Sequence, residues 1–242
     1  SDDFATTNFI QTDDTVGSSA AWQTYTLWGG GSGERVTGLA SGTTYKIKVK
    51  ARYGVNTESA CSITASATTS SPSLTITFVG VNSGTTLDGE TTTITSTTNG
   101  IGYGSLIPGT PSIAAHQVTV TTNATGGFTT TVQQDGNLRT NTSKEITAVS
   151  GTNAAPATWP GSITTGRFGY HSSDEDLCTG TTTRFSTNNT WAALASTPYE
   201  VGCDTVPVTN ETTTVTYKLE IGNVQEAGQY ANVVTYITTA QF

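Results

Sequence analysis

Apolar and polar residues alternate with a period of two in the first part of the chain. From Thr44 to Arg52 an apolar residue stands at every second position, with a lysine between each pair. That period places the apolar side chains on one face of a β-strand and the lysines in solvent. Ser62–Thr69 shows the same pattern, and Gln23–Trp28 and Glu34–Thr37 are predicted to form two further strands across a glycine-rich turn.

Short strand-like segments continue through the rest of the chain, separated by turn sequences such as Asp88-Gly89 and Gly126-Gly127. Regularly spaced short strands with such turns are typical of β-sandwiches and barrels. The predicted strands are Leu74–Val79, Thr91–Ser96, Gln117–Thr121, Phe128–Gln134, Arg167–His171, Thr213–Ile221 and Tyr230–Thr238.

A domain boundary is predicted at Ser70-Ser71-Pro72, because proline cannot donate a hydrogen bond to a strand ladder. The two predicted domains are residues 1–71 and residues 72–242. The predicted fold class is therefore all-β, with two β-sandwich domains.

The segment Val36–Ala51 resembles the later half of a fibronectin type III domain. In that family a leucine precedes a Gly-Thr-x-Tyr sequence, and the tyrosine hydroxyl ties a strand to the preceding corner. The matching residues here are Leu39, Gly42, Thr43 and Tyr45. The resemblance implies a binding or spacing module without catalytic chemistry.

The chain departs from that family in length. The resemblance covers about residues 20–69, and a seven-stranded sandwich takes about 100 residues, whereas only 69 residues precede the boundary. The expected first strands and their buried tryptophan have no counterpart upstream, since Trp22 and Trp28 lie too close to Tyr45. We therefore expect the first sandwich to be incomplete.

The second part is similar in pattern to secreted β-sandwich domains of bacterial surface proteins and to pilin-type subunits. The resemblance depends on Tyr103–Thr110, Val118–Gly136 and the closing segment Ala227–Phe242. It implies a protein of the cell surface.

Composition supports an extracellular β-protein. The 54 threonines favour strands and keep them soluble without charge, and charged residues make up only 12% of the chain. A net charge of −8 without a basic cluster argues against nucleic acid as a partner. The apolar runs are too short for membrane insertion. The chain opens at Ser1 without the pattern of a signal peptide, so we expect a processed form or a fragment of a longer protein.

Cys178 and Cys203 bracket one segment rich in glycine, threonine and asparagine, and we predict a disulfide between them. The alternative is two unrelated buried thiols. Cys61 is left over, either as a small buried apolar residue or as a bridge between subunits.

Catalytic and cofactor motifs are missing from the sequence, so we expect neither enzymatic activity nor a cofactor. His116, predicted to lie at a surface or edge, and His171 stand outside any nucleophile motif. Asp174 and Asp176 are weak candidates for calcium, with a solvated acidic loop as the alternative.

Glycans enter the sequence-based interpretation in two ways. Four Asn-x-Ser/Thr sequons are candidates for glycosylation. Five aromatic residues are candidates for stacking on sugars, with ordinary core packing as the alternative. The sequon asparagines are Asn123, Asn141, Asn188 and Asn210, and the aromatic candidates are Trp22, Tyr25, Trp28, Trp159 and Trp191.

An incomplete sandwich exposes apolar groups and unpaired backbone hydrogen-bonding groups, which a strand from another chain can cover. We therefore expect an extracellular structural subunit of a filament or pilus that binds copies of itself head to tail. The donor is expected to be the amino-terminal arm, through Phe4, Phe9 and Ile10, or the carboxy-terminal strand, through Val233, Tyr236 and Ile237. The alternative is a glycan- or surface-binding adhesive module of a larger secreted protein.

Overall fold

The computed structural model describes residues 8–55, 57–180 and 183–242. The described residues form strands, turns and one short 3₁₀ helix at Gly30–Ser32, so the all-β prediction is confirmed. The chain divides into two compact units, the first ending at Pro72 and the second running from Ser73 to Phe242. That these units are independent domains stays a prediction.

The described residues of the first unit contain three small antiparallel strand pairs, in which β1 pairs with β2, β3 with β6 and β4 with β5. The strands are β1 (Phe9–Ile10), β2 (Val16–Gly17), β3 (Thr44–Ile47), β4 (Arg52–Tyr53), β5 (Thr57–Glu58) and β6 (Ala65–Thr68).

The prediction of strands at Gln23–Trp28 and Glu34–Thr37 is wrong. The first segment coils into a turn, in which the Trp28 amide donates to the Thr24 carbonyl at 3.1 Å. Gly29 has a φ of 77°, and a Cβ added there would lie 2.0 Å from the Gly33 carbonyl oxygen. The glycines therefore serve a tight local turn, and the apolar side chains before them do not form a strand face.

The tyrosine expected at a strand corner makes the expected contact. The Ala40 amide donates a hydrogen bond to the hydroxyl of Tyr45 at 2.9 Å, five residues upstream of the tyrosine. The Tyr45 ring is only half-buried, however. Membership of the fibronectin type III family stays a prediction.

The first unit has no closed core among its described residues. Every described side chain up to Pro72 remains at least partly exposed, and several large apolar ones are almost fully exposed. Because an isolated two-stranded hairpin is marginally stable in water, this unit cannot depend on its own apolar burial.

The second unit contains two larger sheets and, among its described residues, two separate two-stranded sheets. Its strands are β7 (Leu74–Gly80), β8 (Thr86–Leu87), β9 (Glu90–Thr91), β10 (Ser112–Thr122), β11 (Phe128–Gln134), β12 (Leu138–Arg139), β13 (Glu145–Ala148), β14 (Ala157–Thr158), β15 (Arg167–Ser172), β16 (Thr190–Trp191), β17 (Tyr199–Asp204), β18 (Val208–Glu220) and β19 (Val234–Ala240). The larger sheet has the order β12-β13-β15-β18-β10-β7, and the smaller one has the order β17-β11-β19.

The two sheets pack face to face around a buried apolar core. Val118 and Val120 of β10 pack against Phe128 of β11, and Val132 of β11 belongs to a larger cluster with Tyr217 of β18. Along β11 buried and half-buried residues alternate without exception, as a sheet that faces a core on one side requires.

Two predictions for the second unit are wrong. Only Thr91 of the segment Thr91–Ser96 lies in a strand, because the amides of Thr93 and Ile94 both donate to the Ile113 carbonyl and cannot continue a ladder. His116 is buried rather than at the surface. Its ring packs at a tilt of 45° against Phe78, with ring centroids 4.7 Å apart, and its Nε2 is hydrogen-bonded to the Thr97 carbonyl.

Candidate functional site

One flank of the second unit carries an edge strand from each sheet. β7 ends the larger sheet and β19 ends the smaller one, and neither pairs with another strand of the described residues on its outer side. The Phe78 ring of β7 lies 4.9 Å from the Tyr236 ring of β19, so the two edges meet on the same side of the sandwich.

Apolar side chains on this flank face inward but are not covered. Residues opposite each other in an antiparallel pair project from the same face, and Ile76 pairs with the fully buried Val120. Ile76 is nevertheless 46% exposed, and its neighbour Leu74 is 37% exposed. We call the surface formed by Leu74, Ile76, Phe78 and Tyr236 the open flank.

The expected donor strands occupy different positions. Phe4 lies outside the described residues, whereas Phe9 and Ile10 pair with Gly17 and Val16 of their own unit. Tyr236 and Ile237 lie in β19, which pairs with β11 along its whole length, and Val233 directly precedes that strand. The carboxy-terminal strand is therefore an edge of its own sheet and would have to leave it to act as a donor.

The first unit presents an uncovered apolar face of its own. We call residues 44–68, which contain β3 to β6, the first-unit hairpin. Tyr45 and Ile47 share a face with their partners Ala67 and Ala65. Further along the hairpin, exposure is higher still and reaches 91% at Ile63. The described residues thus include an uncovered apolar surface in each unit.

The predicted disulfide between Cys178 and Cys203 is confirmed. Cys61, by contrast, is an exposed free thiol, so its assignment as a buried apolar residue is wrong. An exposed thiol is compatible with the alternative role in a bridge between subunits, which stays a prediction.

A buried carboxylate holds the chain next to the disulfide. Glu200 accepts hydrogen bonds from the Cys178 amide at 3.0 Å, from the Thr179 amide at 3.0 Å and from the Thr179 hydroxyl at 2.5 Å. It also forms a 2.6 Å ion pair with Arg184, and both side chains are almost completely buried. Arg184 in turn donates to Asn153, whose amide group donates to the Tyr170 hydroxyl.

The sequence alone does not mark Glu200 or Arg184 as important residues. Each is an isolated charged residue in a polar context, and charged residues are rarely fully buried. The one feature of the sequence that could have drawn attention to Glu200 is its position three residues before Cys203.

Replacing both bridged cysteines, as Cys178→Ser with Cys203→Ser, is expected to lower the free energy of unfolding. The bridge closes a loop with a sequence separation of 25 residues, for which loop entropy gives about 3 to 4 kcal/mol. Urea unfolding followed by tryptophan fluorescence measures the loss. Cys61→Ser, at an exposed site, should change stability by less than about 0.5 kcal/mol. Equal losses in the two variants would contradict the prediction.

Asp174 and Asp176 line an open pocket of about 400 Å³ together with Asp204 and Glu211. The two Asp174 oxygens already accept hydrogen bonds from the amides of Cys203 at 2.8 Å and Asp176 at 3.1 Å. Burial raises the pKa of Asp174. These carboxylate oxygens stabilise the disulfide loop, and calcium binding there stays a prediction.

All four sequon asparagines are exposed. Asn123 follows β10, Asn141 lies between β12 and β13, and Asn188 precedes β16. Asn210 lies within β18 and has a φ of 56°. Their positions are compatible with attached glycans, and occupancy stays a prediction.

The aromatic candidates differ in burial and in the contacts that they make. Trp191 is buried and packs edge-on against Trp159, with ring centroids 5.6 Å apart. The Arg52 guanidinium lies over the Trp22 ring at 4.5 Å and occupies a face that a sugar would need. Tyr25 is well exposed.

The described residues contain no helix that is both long and apolar enough to cross a membrane. No protein-family model matches the chain, and no curated protein matches it in sequence.

Proposed function

We propose that this chain is an extracellular structural subunit of a filament or pilus, assembled with copies of itself by strand exchange at the cell surface. The observation that supports the proposal most directly is the first unit, whose described residues include no buried side chain. A unit that cannot bury its own apolar residues needs a surface from outside to become stable.

The second unit supplies a surface of the required kind. The open flank combines exposed apolar side chains with the unpaired outer sides of two edge strands, which is the combination that strand addition uses. Burying one large apolar side chain contributes about 1.5 to 3 kcal/mol. A contact between subunits that buries several such side chains is therefore stable enough to hold an assembly together.

An extracellular location agrees with the disulfide, since such bonds persist in oxidising compartments. The proposal includes no catalytic step. A glycan-binding module is less well supported, because the Arg52 guanidinium lies over one face of the Trp22 ring and Trp191 is buried.

Self-association of the purified chain is the direct test. We expect the mass measured by light scattering after size-exclusion chromatography to rise with concentration, and linear particles in electron micrographs. Ile63→Asp places a charge on the uncovered face of the first-unit hairpin and should weaken self-association at least tenfold.

Val224→Asp is the matched control, because Val224 is a comparably exposed apolar residue outside both uncovered surfaces. It should leave self-association unchanged. A monomer at every concentration would rule out the proposed function, and equal effects of the two variants would show that the apolar face of the hairpin is not involved.

A further inference from the structure

We propose that the contact between subunits is heterologous: the first-unit hairpin of one copy lies along β7 of the next copy and covers its open flank. The inference rests on the proposed function and specifies its two surfaces. The donor in this contact is the hairpin. It is neither the amino-terminal arm nor β19, the two segments that the sequence suggested as donors.

The hairpin has the residue pattern of a strand that can be added to a sheet. Apolar residues stand at every second position from Tyr45 to Val55. Val49 is 67% exposed and Tyr53 is 87% exposed, so the described part of the same chain leaves their apolar surface largely uncovered. The exposed parts of these side chains and of Ile63 would supply part of the ~800 Å² per partner that a standard interface buries.

β7 has the complementary properties of an acceptor. Its seven residues pair with β10 on one side only, so alternate backbone amides and carbonyls point outward along the other side. Ile76 and Leu74 offer apolar surface beside that edge. An added strand would therefore gain backbone hydrogen bonds and side-chain contacts together.

The distribution of charge favours a second copy of this chain as the molecule that covers the open flank. It also favours contact of the hairpin with a second unit over contact between two second units. The second unit contains twelve acidic and five basic residues, so two second units, each with a net charge of −7, repel each other. The first-unit hairpin carries four basic residues, Lys46, Lys48, Lys50 and Arg52, against the single acidic residue Glu58. A hairpin with a net charge of +3 is attracted to a second unit of opposite sign.

This geometry gives every copy one donor and one acceptor. A contact of this kind produces a closed ring only if the rotation between neighbouring copies closes a circle. With any other rotation, copies add one after another to an open filament. An isologous contact between two hairpins would instead stop at a dimer.

Mixing two variants that cannot assemble alone tests the inference. Val49→Asp removes the donor and keeps the acceptor, whereas Ile76→Asp removes the acceptor and keeps the donor. We expect each variant to be monomeric in light scattering at concentrations where the unmodified chain assembles. An equimolar mixture should form heterodimers, and nothing larger, with an affinity within about threefold of one native contact, because one charge at an unused surface costs little.

Several results would overturn the inference. Dimers of Ile76→Asp alone would show that hairpins pair with each other, and assembly of Val49→Asp alone would show that the hairpin is not the donor. A mixture that stays monomeric, although the unmodified chain assembles and both variants retain native near-ultraviolet dichroism, would exclude the heterologous contact. If Ile76→Asp does not fold, Ile76→Thr, which keeps the β-branch, replaces it and should weaken assembly at least tenfold. A monomeric unmodified chain would instead count against the proposed function.

Discussion

Replacing Glu200 with alanine is expected to lower the free energy of unfolding by about 3 to 5 kcal/mol, as removal of one partner of a buried ion pair does. The Arg184 guanidinium would remain buried without its counter-charge. The amides of Cys178 and Thr179 would lose their acceptor as well. Urea unfolding of the Glu200→Ala variant, followed by tryptophan fluorescence, measures the loss.

An exposed ion pair of the same chain serves as the control. In the second unit, Lys144 Nζ and Glu226 Oε2 lie 2.9 Å apart with side chains 51% and 56% exposed, so Glu226→Ala should cost much less stability than Glu200→Ala. The double variant Arg184→Leu with Glu200→Leu removes both buried charges and should be more stable than Glu200→Ala. A loss below about 1 kcal/mol for Glu200→Ala would contradict the assigned role of this carboxylate.

A steep loss of stability is expected when the pH rises above about 10. Burial raises the pKa of four core tyrosines, Tyr103, Tyr170, Tyr217 and Tyr236, from the ordinary value of 10.0. The unfolded chain therefore releases these protons before the folded chain does. The stabilisation is complete below the pKa that these tyrosines have in the unfolded chain. It is lost as the pH rises from there towards their higher pKa values in the folded chain. Each tyrosine contributes a slope of about 1.4 kcal/mol per pH unit, or about 5 to 6 kcal/mol for four.

Urea unfolding at a series of alkaline pH values measures this slope, in a Cys61→Ser background that prevents thiol exchange. Tyr103→Phe should reduce the slope by about a quarter. The Tyr103 hydroxyl has no hydrogen-bond partner among the described residues, so its removal costs little at neutral pH. Tyr53→Phe, at a highly exposed position, should leave the slope unchanged. An identical slope in all three chains would contradict the prediction.

Strict alternation made several strands predictable. β11 has the predicted bounds because each of its inward positions is buried, and β7 differs from the prediction by one residue. β17 was missed because its residues from Glu200 to Cys203 are buried on both faces, with an acid and a glycine among them, so no alternation remains. Gln23–Trp28 failed for the opposite reason, since local glycine geometry overrides its strand-like composition.

The candidate site was predictable only in part. The residue count indicated that the first part could not close a core, and the structure shows no buried side chain in its described residues. The sequence could not place the open flank, because the exposure of Ile76 depends on how far the smaller sheet extends over the larger one. Nor could it reveal the ion pair of Glu200 with Arg184, which long-range folding brings together.

The lack of a core in the first unit has a consequence for the order of events in assembly. The second unit holds its own buried centre, whereas the described residues of the first unit hold none. In the proposed assembly the first unit gains most of its stabilisation only on meeting a neighbour, so joining the growing structure is also its final folding step. We therefore expect a protease to cut the first unit faster in a free subunit than in an assembled one.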